Sequence, residues 1–347
     1  MKVLLIGDYP PPAGGVAIHV QQLAHSLEQS GEEVSVLNIG VGSTVRTPLK
    51  FGRALIHQIR PRTVCHLHIS GNNLKAWMVA IALGAIGRLL GARLVVTVHS
   101  GLFPKFIDAS PRHRILVRLA LLGMDRVIAV SEAVGQGLKQ ARLPAHKLRV
   151  VPAFLVDQVK PAPGPNAFIE TRPRFSTLIS MAHHPSPIYG QVILLNALAI
   201  LRGKNPGWGL VAFGPGSQGA VFRQQVESRN LTEAVVGLGE LSHAETLGVI
   251  AGSDVFVRPT LADGDSISVR EALTLGVRCV ASDVASRPEG TVLFKSENSN
   301  DLASGLERAM QTVPQHFPMP DVASILLKIY REIDSSRSSS KEAYATK

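Results

Sequence analysis

Short apolar runs alternate with longer amphipathic segments along this chain, in two successive series. In the first, the runs at 3–6, 34–38, 64–69, 94–98 and 126–130 have the length of buried strands. Helical spacing fills the intervals at 16–30, 50–60, 74–90, 111–122 and 132–141, and Gly31 stands where a helix C-cap belongs. Such alternation specifies a parallel sheet with helices on both faces. The pattern breaks at 156–175, where Pro161, Pro163, Gly164, Pro165 and Pro173 argue against helix or central strand. It then restarts, with strands at 176–181, 209–213, 234–237, 254–258 and 278–281 and helices at 190–203, 218–228, 243–251, 268–275 and 300–311.

The expectation is therefore an α/β chain of two parallel-sheet domains, 1–160 and 176–320, joined by a linker at 161–175. A last helix is expected at 321–333, then a Ser-rich disordered tail at 334–347. The length of 347 residues suits two domains at roughly 100–200 residues each. Ligands of such sheets bind beyond the carboxyl ends of the strands. The site is expected in a cleft between the domains.

Cys65 and Cys279 are the only cysteines, too few for a disulfide framework, and no Cys/His spacing calls for a metal. The longest apolar run, 76–87, has 12 residues, below the ~18–20 of a membrane span. No secretory leader is visible after Met1, so a reducing, cytoplasmic setting is expected.

The net charge of +10 is unevenly spread. Residues 1–170 hold 19 Lys/Arg against 9 Asp/Glu, while 171–347 hold 17 of each. Between 45 and 120, 12 basic residues face one acid, Asp108. The basic groups cluster as Arg46, Lys50, Arg53, Arg60 and Arg62, and again as Lys105, Arg112, Arg114 and Arg118. Aromatics are few in this stretch and no nucleic-acid motif occurs, so nucleic acid is not an expected partner. An anionic membrane surface fits the charge, at up to ~1 kcal/mol per nearby Lys or Arg.

Three loops carry candidate chemistry. The first strand runs through a Pro-rich turn to Gly14-Gly15 and a helix, where backbone N–H groups can approach an anion. This is neither GxGxxG nor a P-loop, which argues against a dinucleotide oxidoreductase or ordinary nucleotide hydrolysis. His99 follows the strand at 94–98 and is placed for the cleft. His66 and His68 lie at the end of another strand, where at most one is expected to share a face with Ile69. The third loop follows the strand at 254–258. It begins at Arg258, contains Asp263, Gly264, Asp265 and Ser266, and leads to a helix bearing Glu271. Spacing leaves two roles open for Glu271, because Ser268-x-x-Glu271 also fits a capping box. Asp263 and Asp265 likewise suit a helix N-terminus as well as a ligand.

Asp263-x7-Glu271 in a strand–loop–helix, followed by Gly276-Val277-Arg278-Cys279-Val280-Ala281-Ser282-Asp283, resembles glycosyltransferase family 4, the retaining GT-B enzymes with an E-x7-E motif. Gly14-Gly15, Val127–Glu132, Leu148–Pro152, Phe213-Gly214-Pro215-Gly216 and Gly237-Leu238-Gly239 resemble further motifs of that family, in order. The resemblance implies a GT-B fold, two Rossmann-like domains facing a cleft, and a retaining transfer that needs no metal or other cofactor. A nucleotide-sugar donor, UDP- or GDP-linked, would bind the C-terminal domain and the acceptor the N-terminal one. Glu271 would hold the donor ribose and Asp263 the transferred sugar. Gly264, Asp265 and Ser266 would meet sugar or diphosphate, as would Gly14 and Gly15 from across the cleft. Gly214 and Gly239 would line the donor site, and His99 would lie near the reacting sugar.

Two departures stand out. Asp263 replaces the usual Glu, shortening its reach by one methylene. The family's G-R-x-x-x-x-K-G stretch reads His183-His184-Pro185-Ser186-Pro187-Ile188-Tyr189-Gly190, so His184 and Tyr189 occupy the places of two phosphate-gripping cations. Arg258 is expected to supply part of the missing charge, and a protonated His183 or His184 to assist. The expected acceptor is a glycan or lipid-linked sugar in cell-surface polysaccharide assembly, on the inner membrane face. The loss of the two cations also fits a non-catalytic nucleotide-sugar or glycan binder on the same fold, and a sugar-nucleotide epimerase is a third reading.

Overall fold

The computed structural model describes residues 1–11, 14–40, 43, 45, 47–155 and 159–345, with side chains through residue 335. The chain forms two compact units. One takes the residues up to 158 together with those from Asp321 on, and the other takes Val159–Pro320. Arg46, part of the first basic cluster, lies outside the described residues.

The first unit alternates β1 (Lys2–Gly7), α1 (Gly15–Gln29), β2 (Glu33–Asn38), α2 (Pro48–Gln58), β3 (Val64–Ile69), α3 (Leu74–Leu89) and β4 (Arg93–Val98). It continues with α4 (Phe103–Asp108), α5 (Pro111–Leu122), β5 (Arg126–Ala129), α6 (Glu132–Gln140) and β6 (Leu148–Val150). The strands are parallel, in the order β2-β1-β3-β4-β5-β6. Residues of β3 and β4 are buried throughout, as expected of strands covered on both faces. One core layer includes Phe51, Leu55, Trp77, Leu83, Phe103 and Val117, from α2 to α5. The opposite layer packs Val20, Leu23 and Leu27 of α1 against the C-terminal helix.

The second unit holds α7 (Asn166–Thr171), β7 (Thr177–Ala182), α8 (Gln191–Lys204), β8 (Trp208–Phe213), α9 (Ala220–Glu227), β9 (Val235–Gly239) and α10 (His243–Ala251). Then come β10 (Val255–Arg258), α11 (Ile267–Thr274), β11 (Arg278–Ser282), β12 (Thr291–Phe294) and α12 (Ser299–Met310). Its parallel sheet runs β12-β11-β10-β7-β8-β9. Both sheets bear out the α/β expectation.

The differences from the sequence pattern are local. α7 lies inside the segment expected to be a linker, because no proline falls between Pro165, which serves as its N-cap, and Pro173, and Phe168 is buried. The last helix, α13 (Val322–Ala345), runs past residue 334, where the pattern predicts a disordered tail. Val322, Leu326, Ile329, Tyr330 and Ile333 recur at helical spacing and are buried in the first unit. Asp334 itself is held by Arg62 Nε at 3.1 Å and Arg93 Nη2 at 3.2 Å.

Candidate functional site

Strand order in the second unit reverses between β7 and β10, so the loops leaving these strands lie side by side at the position where such sheets bind ligands. Gly190 allows the approach. Its φ is +72°, and a Cβ there would collide with the Pro259 carbonyl. Leu261 N donates to Ile188 O at 2.8 Å, joining the two loops.

Asp263 is the hub. Its carboxylate accepts from Arg258 Nε at 3.1 Å, Arg287 Nη1 at 2.8 Å and Thr260 Oγ1 at 3.3 Å. The side chains of Arg258, Asp263 and Arg287 are 16%, 9% and 2% exposed. Arg287 is fixed from behind by the Ser282 carbonyl at 3.0 Å. Burial pushes the Asp263 carboxyl up, but the two guanidinium charges outweigh it and hold the group at about 2. Two guanidiniums against one carboxylate leave one positive charge in excess. The Arg258 guanidinium also lies over the Tyr189 ring, 5.2 Å from its centroid. Tyr189 in turn stacks on His184 at 4.7 Å. Positions 184 and 189, which lack the expected Arg and Lys, thus form an aromatic column capped by an arginine.

In the β7 loop, His183 is disfavoured as the cation the sequence suggests. Burial lowers the His183 pKa, and His184 adds to this, although His183 Nδ1 donates to Pro215 O at 2.8 Å. His184 Nδ1 accepts the Ser186 N–H at 3.1 Å, so that nitrogen keeps its lone pair. Gly214 (φ +110°) packs on the His183 backbone, and its N–H donates to Gly239 O at 2.7 Å. The glycine turn after β8 therefore adjoins both the β7 loop and the end of β9.

Glu271 is 4% exposed, and its Oε1 lies 2.6 Å from His243 Nε2. Burial lowers the His243 pKa, but the bond and the charge of Glu271 outweigh it and raise it overall. The capping-box alternative is not what forms. Ser266 is the N-cap of α11, accepting from Val269 N at 3.4 Å, and Ser268 Oγ pairs with Ser266 Oγ at 3.2 Å. Asp265 is bound by Arg270 Nε at 2.8 Å. Gly264 is buried between these two acidic residues. Arg287 and His243 escape the sequence reading. Each is far from the motif in the chain, 24 residues from Asp263 and 28 from Glu271.

In the first unit the order reverses between β1 and β3. Gly14 has an ordinary extended φ of −127°, and a Cβ at Gly14 or Gly15 would meet nothing within 4 Å. Among the described residues neither the backbone nor packing demands glycine there, and no side chain caps α1. Beside this turn lies a histidine cluster. His68 Nδ1 is 3.1 Å from His99 Nε2. His66 bridges Tyr330 OH at 2.5 Å and Thr97 Oγ1 at 2.7 Å. The rings of His66 and His68 are 4.1 Å apart, so both share the face opposite Ile69. His19 of α1 completes the group, 5.3 and 5.2 Å from the rings of His68 and His99. Burial drives all four pKa values down, His19 to about 4 and His66 to about 3. Among the described residues His19, His68 and His99 have a donor set suited to a divalent metal, one nitrogen of each within 4.8 Å of the others.

Two family models match the chain, Glycosyltransferase Family 4 over residues 13–155 and Glycosyl transferases group 1 over residues 175–312. The chain belongs to this glycosyltransferase family. As a family member it is 23% identical over 365 residues to a subunit of the human phosphatidylinositol N-acetylglucosaminyltransferase, covering 95% of this chain and 72% of that protein. Its fold matches that of Anabaena HepE in complex with UDP, with a TM-score of 0.65 and 19% identity over 99% of this chain and 100% of that one. HepE has also been solved with UDP-glucose. The fold likewise matches sucrose-phosphate synthase from Thermosynechococcus elongatus, with a TM-score of 0.71 and 18% identity over 97% and 100% of the two chains. The glycosyltransferase family and its GT-B fold are thus as the motifs indicate.

Proposed function

We propose that this glycosyltransferase moves a sugar from a UDP- or GDP-linked donor to a glycan or lipid-linked acceptor, with retention of configuration and without a metal. The carrying observation is the Arg258–Asp263–Arg287 group at the switch point, with its surplus positive charge and its guanidinium over Tyr189. In this reading Arg258 meets the diphosphate in place of the two missing cations, stabilising the leaving group by charge-assisted hydrogen bonds. Asp263 orients Arg258 toward that task. Glu271, held at Oε1 by His243, keeps Oε2 for the ribose hydroxyls. Gly264–Ser266, Gly214 and Gly239 border the donor, with Gly14, Gly15 and His99 serving the reacting end. The UDP and UDP-glucose complexes of HepE favour a UDP-sugar.

The acceptor side rests on the first unit. Exposed apolar Leu49, Ile56, Ile115, Leu119 and Leu122 stand among exposed Lys50, Arg53, Arg112 and Arg118 on α2 and α5. That combination suits an anionic lipid surface and an acceptor carried on it, as in polysaccharide assembly on a cytoplasmic membrane face. Among the described residues no helix is long and apolar enough to cross a membrane.

A second reading, a non-catalytic binder of nucleotide sugars, is favoured by His184 and Tyr189 standing where cations are usual. A panel of UDP- and GDP-sugars, scored for donor turnover and for ligand-induced stabilisation, separates the two. Turnover that disappears in Glu271→Ala supports the enzyme, while stabilisation without turnover supports the binder.

A further inference from the structure

The histidine cluster carries an assignment of protons. Among the described residues, buried His68 Nε2 has no hydrogen-bond partner, while His68 Nδ1 lies 3.1 Å from His99 Nε2. A proton on His68 Nε2 would bury an N–H with no acceptor, an arrangement that folded proteins almost never keep. A proton on Nδ1 is instead donated to His99 Nε2, and only a lone pair is left facing the interior. His99 Nε2 then accepts, so the proton of a neutral His99 sits on Nδ1. His19 follows the same pattern. One of its ring nitrogens donates to the Ala153 carbonyl, and its Nδ1 is buried without a partner among the described residues, which makes Nε2 the donor.

We propose that His68 is a positioning residue, which fixes His99 as the tautomer protonated on Nδ1 and so makes it a hydrogen-bond donor to the reacting sugar. This rests on the reading of His99 as a residue of the transfer site. It adds the direction of the bond: His99 gives an N–H to a sugar oxygen and takes no proton from it at Nδ1. The His68 ring is itself held in place. His66 packs against it at 4.1 Å and is bonded at both nitrogens, to Tyr330 and Thr97. His68 therefore has little freedom to turn its other nitrogen toward His99.

The test is a long-range ¹H–¹⁵N correlation spectrum of the full chain labelled at histidine, with the His99 signals identified by their loss in His99→Gln. The expected pattern has Nδ1 protonated and Nε2 bare. His68→Gln, whose amide N–H can still donate to His99 Nε2, should keep that pattern. Donor turnover in His68→Gln should stay within about threefold of the wild type, since one neutral bond replaces another. His68→Ala should show mixed tautomers and a turnover lower by about tenfold, with the donor KM little changed. A wild-type His99 protonated on Nε2, or an unchanged His99 pattern in His68→Ala, overturns the proposal. If His68→Ala does not fold, the wild-type and His68→Gln spectra decide alone. If no nucleotide sugar is turned over, the proposed function fails while the spectrum still decides the tautomer.

Discussion

Arg258, the last residue of β10, and Asp263, five residues further on, form a largely buried ion pair with Nε 3.1 Å from Oδ2. Arg287 joins from the loop after β11, so one carboxylate holds two guanidiniums. Removing that carboxylate leaves two like charges together in a buried site. Asp263→Ala is expected to cost about 3–5 kcal/mol of stability, as broken buried pairs do. Arg258→Ala leaves Asp263 its Arg287 partner and should cost less, while weakening donor binding. Chemical denaturation of both variants, with donor binding measured on the second, checks the ranking. Normal donor affinity in Arg258→Ala removes this arginine from the account.

The same group predicts acid behaviour. The Asp263 carboxyl is lowered from 3.8 to about 2, so its contribution is present above pH 4 and is lost as pH falls through about 2. The shift corresponds to roughly 2 kcal/mol at neutral pH. Stability measured from pH 5 down to pH 2 should fall less steeply in Asp263→Asn than in the wild type. Parallel curves contradict the pairing.

His243 and Glu271 predict the opposite dependence. The His243 pKa is raised above 6.5, so its stabilising contribution is complete below that value and is lost as pH rises through the raised one. The melting temperature of the wild type should decline between pH 6 and pH 9 more than that of His243→Gln. His243→Ala should also change the KM for the donor more than kcat, because it frees a carboxylate assigned to ribose.

Most of the fold is legible in the sequence because buried parallel strands are continuous apolar runs between helices of ordinary length. β6 and β12 escape because they are short edge strands of 3 and 4 residues, each with a single buried residue, and α4 has only 6 residues. The site is legible where its parts are local, as with Arg258 and Asp263. It is illegible where the fold brings distant residues together, since nothing near Glu271 in the chain points to His243, and nothing near His66 points to Tyr330. The Ser268-x-x-Glu271 spacing misleads for a physical reason. The helix begins two residues earlier, at the Ser266 cap, which turns the Glu271 carboxylate away from the backbone and toward α10.

Tyr330 ties α13 to the sheet of the first unit through His66. Tyr330→Phe keeps the packing and deletes the hydroxyl, leaving a buried imidazole nitrogen unpaired. A loss of about 1–3 kcal/mol is expected in urea unfolding. No change would mean that the bond contributes nothing net.

The basic, apolar face of α2 and α5 predicts binding to anionic vesicles that weakens steeply with salt. Leu119→Asp combined with Arg118→Glu should abolish it without affecting turnover of a soluble donor. Equal binding of the wild type to neutral and anionic vesicles contradicts the acceptor-side reading.

The proposed transfer retains configuration at a donor site built around Arg258. The most direct measurement is the anomeric form of the sugar first released or transferred from an α-linked nucleotide sugar, followed by ¹H NMR at early times. An α product, absent with Glu271→Ala, is the predicted result. A β product, or no product from any donor of the panel, contradicts it.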